Sequence, residues 1–108
     1  MAESSWDIRK INEITKTDNL GVIGVNIASQ EWWNRWAACK NQKTPSDFLR
    51  ICLNREENLV VACAIFNNVN FHPGHIMSFV REVDKQNYHY RMAIRFLIKR
   101  IDKDRYFL

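Results

Sequence analysis

A pattern that returns after 28 residues restricts what this chain can fold into more than any other feature. An apolar stripe at helical spacing closes in small residues and an Asn; a short polar gap and a Pro follow, and a second apolar stripe begins. In the first copy Trp32, Trp33, Trp36, Ala37 and Ala38 lead to Asn41, Pro45 and then Phe48, Leu49, Ile51 and Cys52. In the second, Leu59, Val60, Cys63 and Ala64 lead to Asn67, Asn68, Pro73 and then Ile76, Met77, Phe79 and Val80. The two prolines, Pro45 and Pro73, stand 28 residues apart, a period at which self-similarity signals stacked helical hairpins. Small residues late in one helix let a neighbour approach closely, and a proline pre-sets φ for a new helix while forbidding continuation of the old one. Each hairpin then needs its neighbours to bury its apolar face.

Length and composition narrow the class further. A chain of 108 residues suits one domain, 1–108, and is too short for two of ordinary size. With 3 Gly, 2 Pro and no Asn-Gly or Asp-Gly pair, tight β-hairpins have little to turn on. No apolar run approaches the ~18 residues of a membrane span. Met1 to Asp7 carries no basic segment followed by an apolar stretch, so no secretory signal is read and the chain is expected to be cytoplasmic, with no membrane partner. Cys39, Cys52 and Cys63 form an odd set on stripes of Ala, Ile, Leu and Val, where a free thiol behaves as a small hydrophobe; this fits a reducing compartment.

Local signals place the helices. Ser4 or Ser5 is expected to cap a first helix ending near Thr15, with Trp6, Ile8, Ile11 and Ile14 on one face and Asp7 near its positive end. From Gly21 to Ile27, two glycines and β-branched neighbours allow a short strand or a helix packed closely through glycine; helix is preferred because no partner strand is apparent. Ser29 is expected to cap the tryptophan-rich helix running to about Lys40, with Glu31 in its first turn. Thr44 or Ser46 caps the next, and His72-Pro73-Gly74-His75 opens another. Leu59 to Phe66 is apolar almost throughout and fits a helix or a buried strand; the repeat decides for helix. A last helix is expected from about Tyr88 to Ile101. The fold class is therefore all-α, a short α-solenoid of stacked hairpins or, alternatively, an irregular helical bundle.

The string Ala37-Ala38-Cys39-Lys40-Asn41-Gln42-Lys43-Thr44-Pro45-Ser46-Asp47-Phe48-Leu49 resembles the signature of the leucine-rich repeat variant family, relatives of HEAT repeats. In that family a helix ending in small residues and Asn is followed by a Thr-Pro start to a second helix. The resemblance runs from about Ser29 to Ile101. In Val61 to Phe79 the gap from Asn to Pro is one residue longer, and Tyr90, Met92, Ala93 and Ile94 lack the Asn-Pro continuation, as a terminal cap would. What the resemblance implies is a right-handed α-solenoid used as a binding platform, without a particular reaction.

Charge is concentrated at one end. Arg91, Arg95, Lys99 and Lys103 recur every four residues, opposite Ala93, Ile94, Leu97, Ile98 and Ile101. From Arg91 to Leu108 six basic and two acidic residues leave +4, the formal charge of the entire chain. Such a stripe suits a phosphate backbone or an acidic protein surface, although a merely solvated face has the same pattern. Like charges four apart cost a few tenths of a kcal/mol each, which favours a partner. Trp32 and Trp36 share a face while Trp33 lies about 100° around the helix from Trp32, so one ring is expected to remain for contact, with Arg35 beside it.

Catalytic constellations are not apparent. His72 and His75 span a Pro-Gly turn without a Cys-x-x-Cys and read as polar residues at a helix start, not as metal ligands. All three cysteines lie on apolar stripes, where a thiol loses reactivity. Glu56 and Glu57 are adjacent and point apart, and Gly21-Val22-Ile23-Gly24 has neither the Lys nor the third Gly of a phosphate loop. The expected protein is not an enzyme and needs no cofactor. It is an interaction module, an adaptor or inhibitor, with an immunity- or antitoxin-like role as one option that nothing in the sequence selects, contacting a protein through Trp33, Arg35, Arg91, Arg95, Lys99 and Lys103. Nucleic acid is the alternative partner, and a homodimer through the first helix or through Gly21 to Ile27 would cover the apolar ends of so short a stack.

Overall fold

The computed structural model describes residues 7–105, and over them the chain is all-α. The helices are α1 (Ile8–Lys16), α2 (Leu20–Ile27), α3 (Trp32–Lys40), α4 (Ser46–Arg55), α5 (Leu59–Asn67), α6 (Pro73–Glu82) and α7 (Tyr90–Arg105). Among the described residues there is no strand, so Gly21 to Ile27 and Leu59 to Phe66 are both helical. Apart from α7 these helices have eight to ten residues, too few to persist alone in water, so caps and packing must hold them.

Three caps use one device. Asp7, Asn19 and Asn58 each adopt an extended backbone and accept two amide N–H groups of the helix they precede. For α5 this counts for much, because Val60 and Val61 are poor helix formers, and their amides are the ones Asn58 Oδ1 receives, at 2.8 and 3.3 Å. The expected caps differ elsewhere. Ser4, Ser5 and Trp6 lie outside the described residues, and Asp7 is the N-cap of α1. Glu31, not Ser29, is the N-cap of α3; the Ser29 hydroxyl instead accepts from the Glu31 amide at 3.1 Å and the Asn34 side chain at 3.2 Å, closing the turn from α2. Pro45 is the N-cap of α4, so neither Thr44 nor Ser46 takes that place. Thr44 is buried, and its hydroxyl donates back to the Ala38 carbonyl at 2.6 Å.

The spacing of the helices also differs from the spacing of the two prolines. Helices α3 and α5 start at 32 and 59, and α4 and α6 at 46 and 73, a common offset of 27 residues instead of 28. Pro45 occupies the N-cap and Pro73 the first helical residue, so His72 is the positional counterpart of Pro45. Both places suit a fixed φ near −65°, which is why the two prolines mislead by one position.

Both next-but-one and consecutive helices pack together. Helix α3 lies against α1 and α5, α5 against α7, and α2 against α4. An Arg50–Glu82 ion pair at 2.7 Å and the Arg50 guanidinium over the Phe79 ring join α4 to α6. Odd and even helices thus form two layers, which α2–α3, α4–α5 and α6–α7 contacts join. The extents of 46 × 32 × 19 Å match two helices of ~10 Å diameter in the thin direction. Between the layers Ile14, Ile23, Leu49, Ile65 and Ile76 are fully buried, and Phe66 gathers Phe71, Phe79 and Phe96 at 5.7–6.1 Å between ring centroids.

An amide ladder ties the odd layer together at the helix C-termini, where orphan carbonyls need donors. The buried Asn41 donates through Nδ2 to Ile14 O and Thr17 O, each at 2.8 Å. Asn68, 27 residues later, donates to Cys39 O at 2.7 Å and Asn41 O at 3.0 Å. Arg100 supplies the last rung, from Nη1 to Phe66 O and Phe71 O at 3.0 and 3.1 Å. The Asn between stripes is therefore a hydrogen-bond hub that each odd helix offers to the one before it.

Several stripe positions face outward. Val25, Ile51 and Met77, one on each even helix, are 73%, 54% and 37% exposed, and Leu59 and Val60 on α5 are exposed as well. Trp32 and Trp36 are half-buried, not enclosed.

Candidate functional site

Helix α7 has 16 residues, against nine in α5 and ten in α6, so it outruns the helices it packs on by about 9 Å. Its early apolar residues are covered, with Ala93 buried and Ile94 and Leu97 half-buried. Ile98 and Ile101, expected on the covered face, are exposed. Arg91, Arg95, Lys99 and Lys103 are all exposed, as their spacing requires.

Two adjoining grooves cross the odd layer beside this stripe. One, of about 390 Å³, lies between α3 and α5 and is lined by Trp36, Lys40, Val60, Cys63, Ala64, Asn67 and Asn68. The other, of about 450 Å³, lies between α5 and α7 and is lined by Asn67, Val69, Phe96, Lys99, Arg100 and Lys103. Asn67 borders both, and neither lining contains a carboxylate. In each a lysine stands over an aromatic ring four or three residues away on the same helix: Lys40 Nζ is 4.3 Å from the centroid of Trp36, and Lys99 Nζ is 5.8 Å from that of Phe96. Such pairs set a cation over one face of a ring within the groove lining.

The expected contact residues are divided by this geometry. Lys99 and Lys103 line the α5–α7 groove, and Arg95 lies at its edge in a shallow depression with Phe96, Ile98 and Asp102. Arg91 is exposed near the start of α7, outside these grooves. Trp33 is half-buried with its ring edge-on to Trp32 at 5.7 Å, and Trp36 is the ring that lines a groove. Arg35 serves the interior: its Nε and Nη2 reach the Glu56 carboxylate at 2.8 and 2.9 Å, and Nη1 donates to Ser29 O and Gln30 O. The Glu56 side chain is only 2% exposed, so an exposed Arg35 would leave a buried charge alone. Lys40, Trp36 and Phe96 were legible only as Trp-x-x-x-Lys and Phe-x-x-Lys pairs on one helix face.

Around Glu56 is a second, interior cluster. Burial pushes its carboxyl up, but the Arg35 guanidinium, the Asn58 amide and the Cys52 thiol together outweigh that and hold it below its ordinary range. Cys39 Sγ lies 3.8 Å from Cys52 Sγ, which in turn lies 3.5 Å from Glu56 Oε1. The Cys52 contact, reinforced by burial, pushes the Cys39 thiol well up. His89 is 2% exposed and donates through Nε2 to the Glu56 carbonyl, while its Nδ1 has no hydrogen bond among the described residues. Nothing in the sequence pattern singled out His89. His72 and His75 stack at 5.6 Å, and His75 Nδ1 accepts the His72 amide at 3.0 Å, a helix-start contact. Among the described residues no three of His, Cys, Asp and Glu converge on a common point, and no helix is long and apolar enough to cross a membrane.

Compared with known proteins, the chain gives no significant match to a family model, a curated protein or a solved structure.

Proposed function

We propose that this chain is a small interaction module, an adaptor or inhibitor, whose odd-helix face receives an acidic, partly apolar segment of a protein partner. The observation that carries this reading is the pair of adjoining grooves over α3, α5 and α7, in which lysines stand over aromatic rings and no carboxylate intervenes. Trp36, Phe96 and Val60 supply desolvated area, Lys40, Lys99 and Lys103 speed encounter and set orientation, and Asn67 offers an amide between them. A two-layer stack with one such face is also how the HEAT-like repeats that the chain resembles would present a binding platform.

Peptide display against the intact protein tests this. Selected peptides are expected to be rich in Asp and Glu interspersed with apolar residues, and to lose at least tenfold in affinity for Trp36→Ala and for Lys99→Glu/Lys103→Glu. Selection of basic or charge-free peptides, or binding indifferent to both variants, would overturn the reading. Nucleic acid is a second reading, favoured by the exposed four-residue spacing on α7. It predicts duplex binding that falls steeply with salt and is weakened by Arg91→Glu, a change outside the grooves that peptide binding should tolerate.

A further inference from the structure

Two thiols in contact, Cys39 on α3 and Cys52 on α4, end a hydrogen-bonded chain that runs from Cys39 through Cys52 and the Glu56 carboxylate to the Arg35 guanidinium. Cys39 is fully enclosed and Cys52 is 3% exposed. Cys52 nevertheless lines a cavity of about 230 Å³, together with Ser29, Arg35, Arg55 and Glu56. That volume leaves ample room for a molecule as small as hydrogen peroxide, and Ser29, Arg35, Arg55 and Glu56 can hydrogen-bond one. Neither the groove reading nor the basic stripe uses this cluster.

We propose that the cavity admits hydrogen peroxide and that Cys52 and Cys39 form a reversible two-thiol oxidation site, with Cys52 attacking and Cys39 resolving. Cys52 points its proton at Glu56 Oε1, a carboxylate that Arg35 keeps ionised. As the Cys52 sulfur attacks one peroxide oxygen, the S–O bond forms, the O–O bond breaks, and the departing hydroxide takes the thiol proton, passed across Glu56 Oε1 without resting there, and leaves as water. Cys39 then attacks the sulfenic sulfur. Its sulfur displaces hydroxide, which takes the Cys39 proton and leaves as a second water, so one peroxide and two thiols yield one disulfide and two waters. The sulfur atoms need close by about 1.8 Å to reach the ~2.0 Å of a disulfide. Glu56 is a positioning residue that aims the Cys52 proton, and a thiol donor reverses the state.

Exposure alone would give the opposite order, because Cys63 is the most accessible of the three thiols. The native protein is therefore treated with stoichiometric hydrogen peroxide, its free thiols are counted, and its peptides are mapped by mass spectrometry. The expected result is loss of two thiols of three, an intact mass lower by two hydrogens, and a peptide linking Cys39 to Cys52, in wild type and in Cys63→Ser alike. Cys39→Ser is expected to stop at a sulfenic acid on Cys52 that dimedone traps. Glu56→Gln is expected to slow the wild-type rate at least tenfold at neutral pH, and Glu56→Asp, which keeps a carboxylate, to slow it less. Oxidation confined to Cys63, three thiols surviving, or a Cys39–Cys52 link formed only in denaturant would overturn the proposal. The wild-type and Cys63→Ser results decide it even if the core variants fail to fold.

Discussion

Asn68 shows how much one polar side chain can do in a small helical protein. It is 6% exposed, accepts the Asn70 amide at 2.8 Å through Oδ1, and spends both amide hydrogens on carbonyls of the preceding odd helix. Asn68→Ala leaves Cys39 O and Asn41 O without that donor, and should lower unfolding free energy by about 2–4 kcal/mol in urea titration. Asn68→Asp should cost more, since a carboxylate cannot donate and would face two carbonyl oxygens. Equal stability for the three proteins would refute the ladder. Glu56 gives a pH signature at the same scale. Its carboxyl is held below its ordinary 4.5, so its contribution is complete above about pH 4.5 and is lost as pH falls through the lowered folded value. Urea midpoints should fall over that acid range in wild type and fall less steeply in Glu56→Gln. At neutral pH the same variant should be less stable by roughly 2–4 kcal/mol, less than for a fully enclosed pair because the Arg35 side chain keeps 21% of its surface in solvent.

Among the elements, α2 and α5 gain their helicity from opposite circumstances. Helix α5 is held by burial: Val61, Ala62, Ile65 and Phe66 are enclosed, and Phe66 alone touches rings from α7, from α6 and from the loop before it. Phe66→Ala should therefore cost about 3–5 kcal/mol, read as a loss of urea midpoint, because the cavity it leaves is shared by three rigid neighbours. Helix α2 is weaker on its own account, carrying Gly21 and Gly24 in eight residues. A Cβ added at Gly24 would meet Phe48 Cε2 at 3.5 Å, an ordinary contact, so the close approach of α2 to α4 does not require glycine there. Gly24→Ala should raise stability by about 0.5–1 kcal/mol, and a fall in Tm would show that the α2–α4 spacing is tighter than this contact implies.

For the molecule as a whole, stability and charge are separable. The two-layer core and the amide ladder lie inside, whereas Lys99 and Lys103 are exposed at the end of the long helix. Lys99→Glu with Lys103→Glu brings the formal charge from +4 to zero, yet should shift unfolding free energy by less than ~0.5 kcal/mol. Circular dichroism would check this directly. A large loss of stability would mean that these lysines hold the fold together and are not available to a partner. Since no helix of eight to ten residues persists alone, tryptophan fluorescence from α3 and helicity from the whole chain should also melt in one coincident transition.

Local chemistry was enough to determine the all-α class, the approximate bounds of most helices and the outward basic stripe of α7, because periodicity, capping residues and spacing act within a few positions of the chain. Asn41 and Asn68 were visible as repeated letters, but their donors meet carbonyls up to 29 residues away, and no local pattern shows that. Tertiary packing alone decided that the offset is 27 residues, that Trp36 and not Trp33 lines a groove, and that Arg35 turns inward to a carboxylate 21 residues further on. It also brought Cys39 and Cys52 into contact across two layers. Each of these outcomes depends on which helix faces come together, and the energies that choose between faces come from burial and paired charge in three dimensions, which adjacent residues in the chain do not encode.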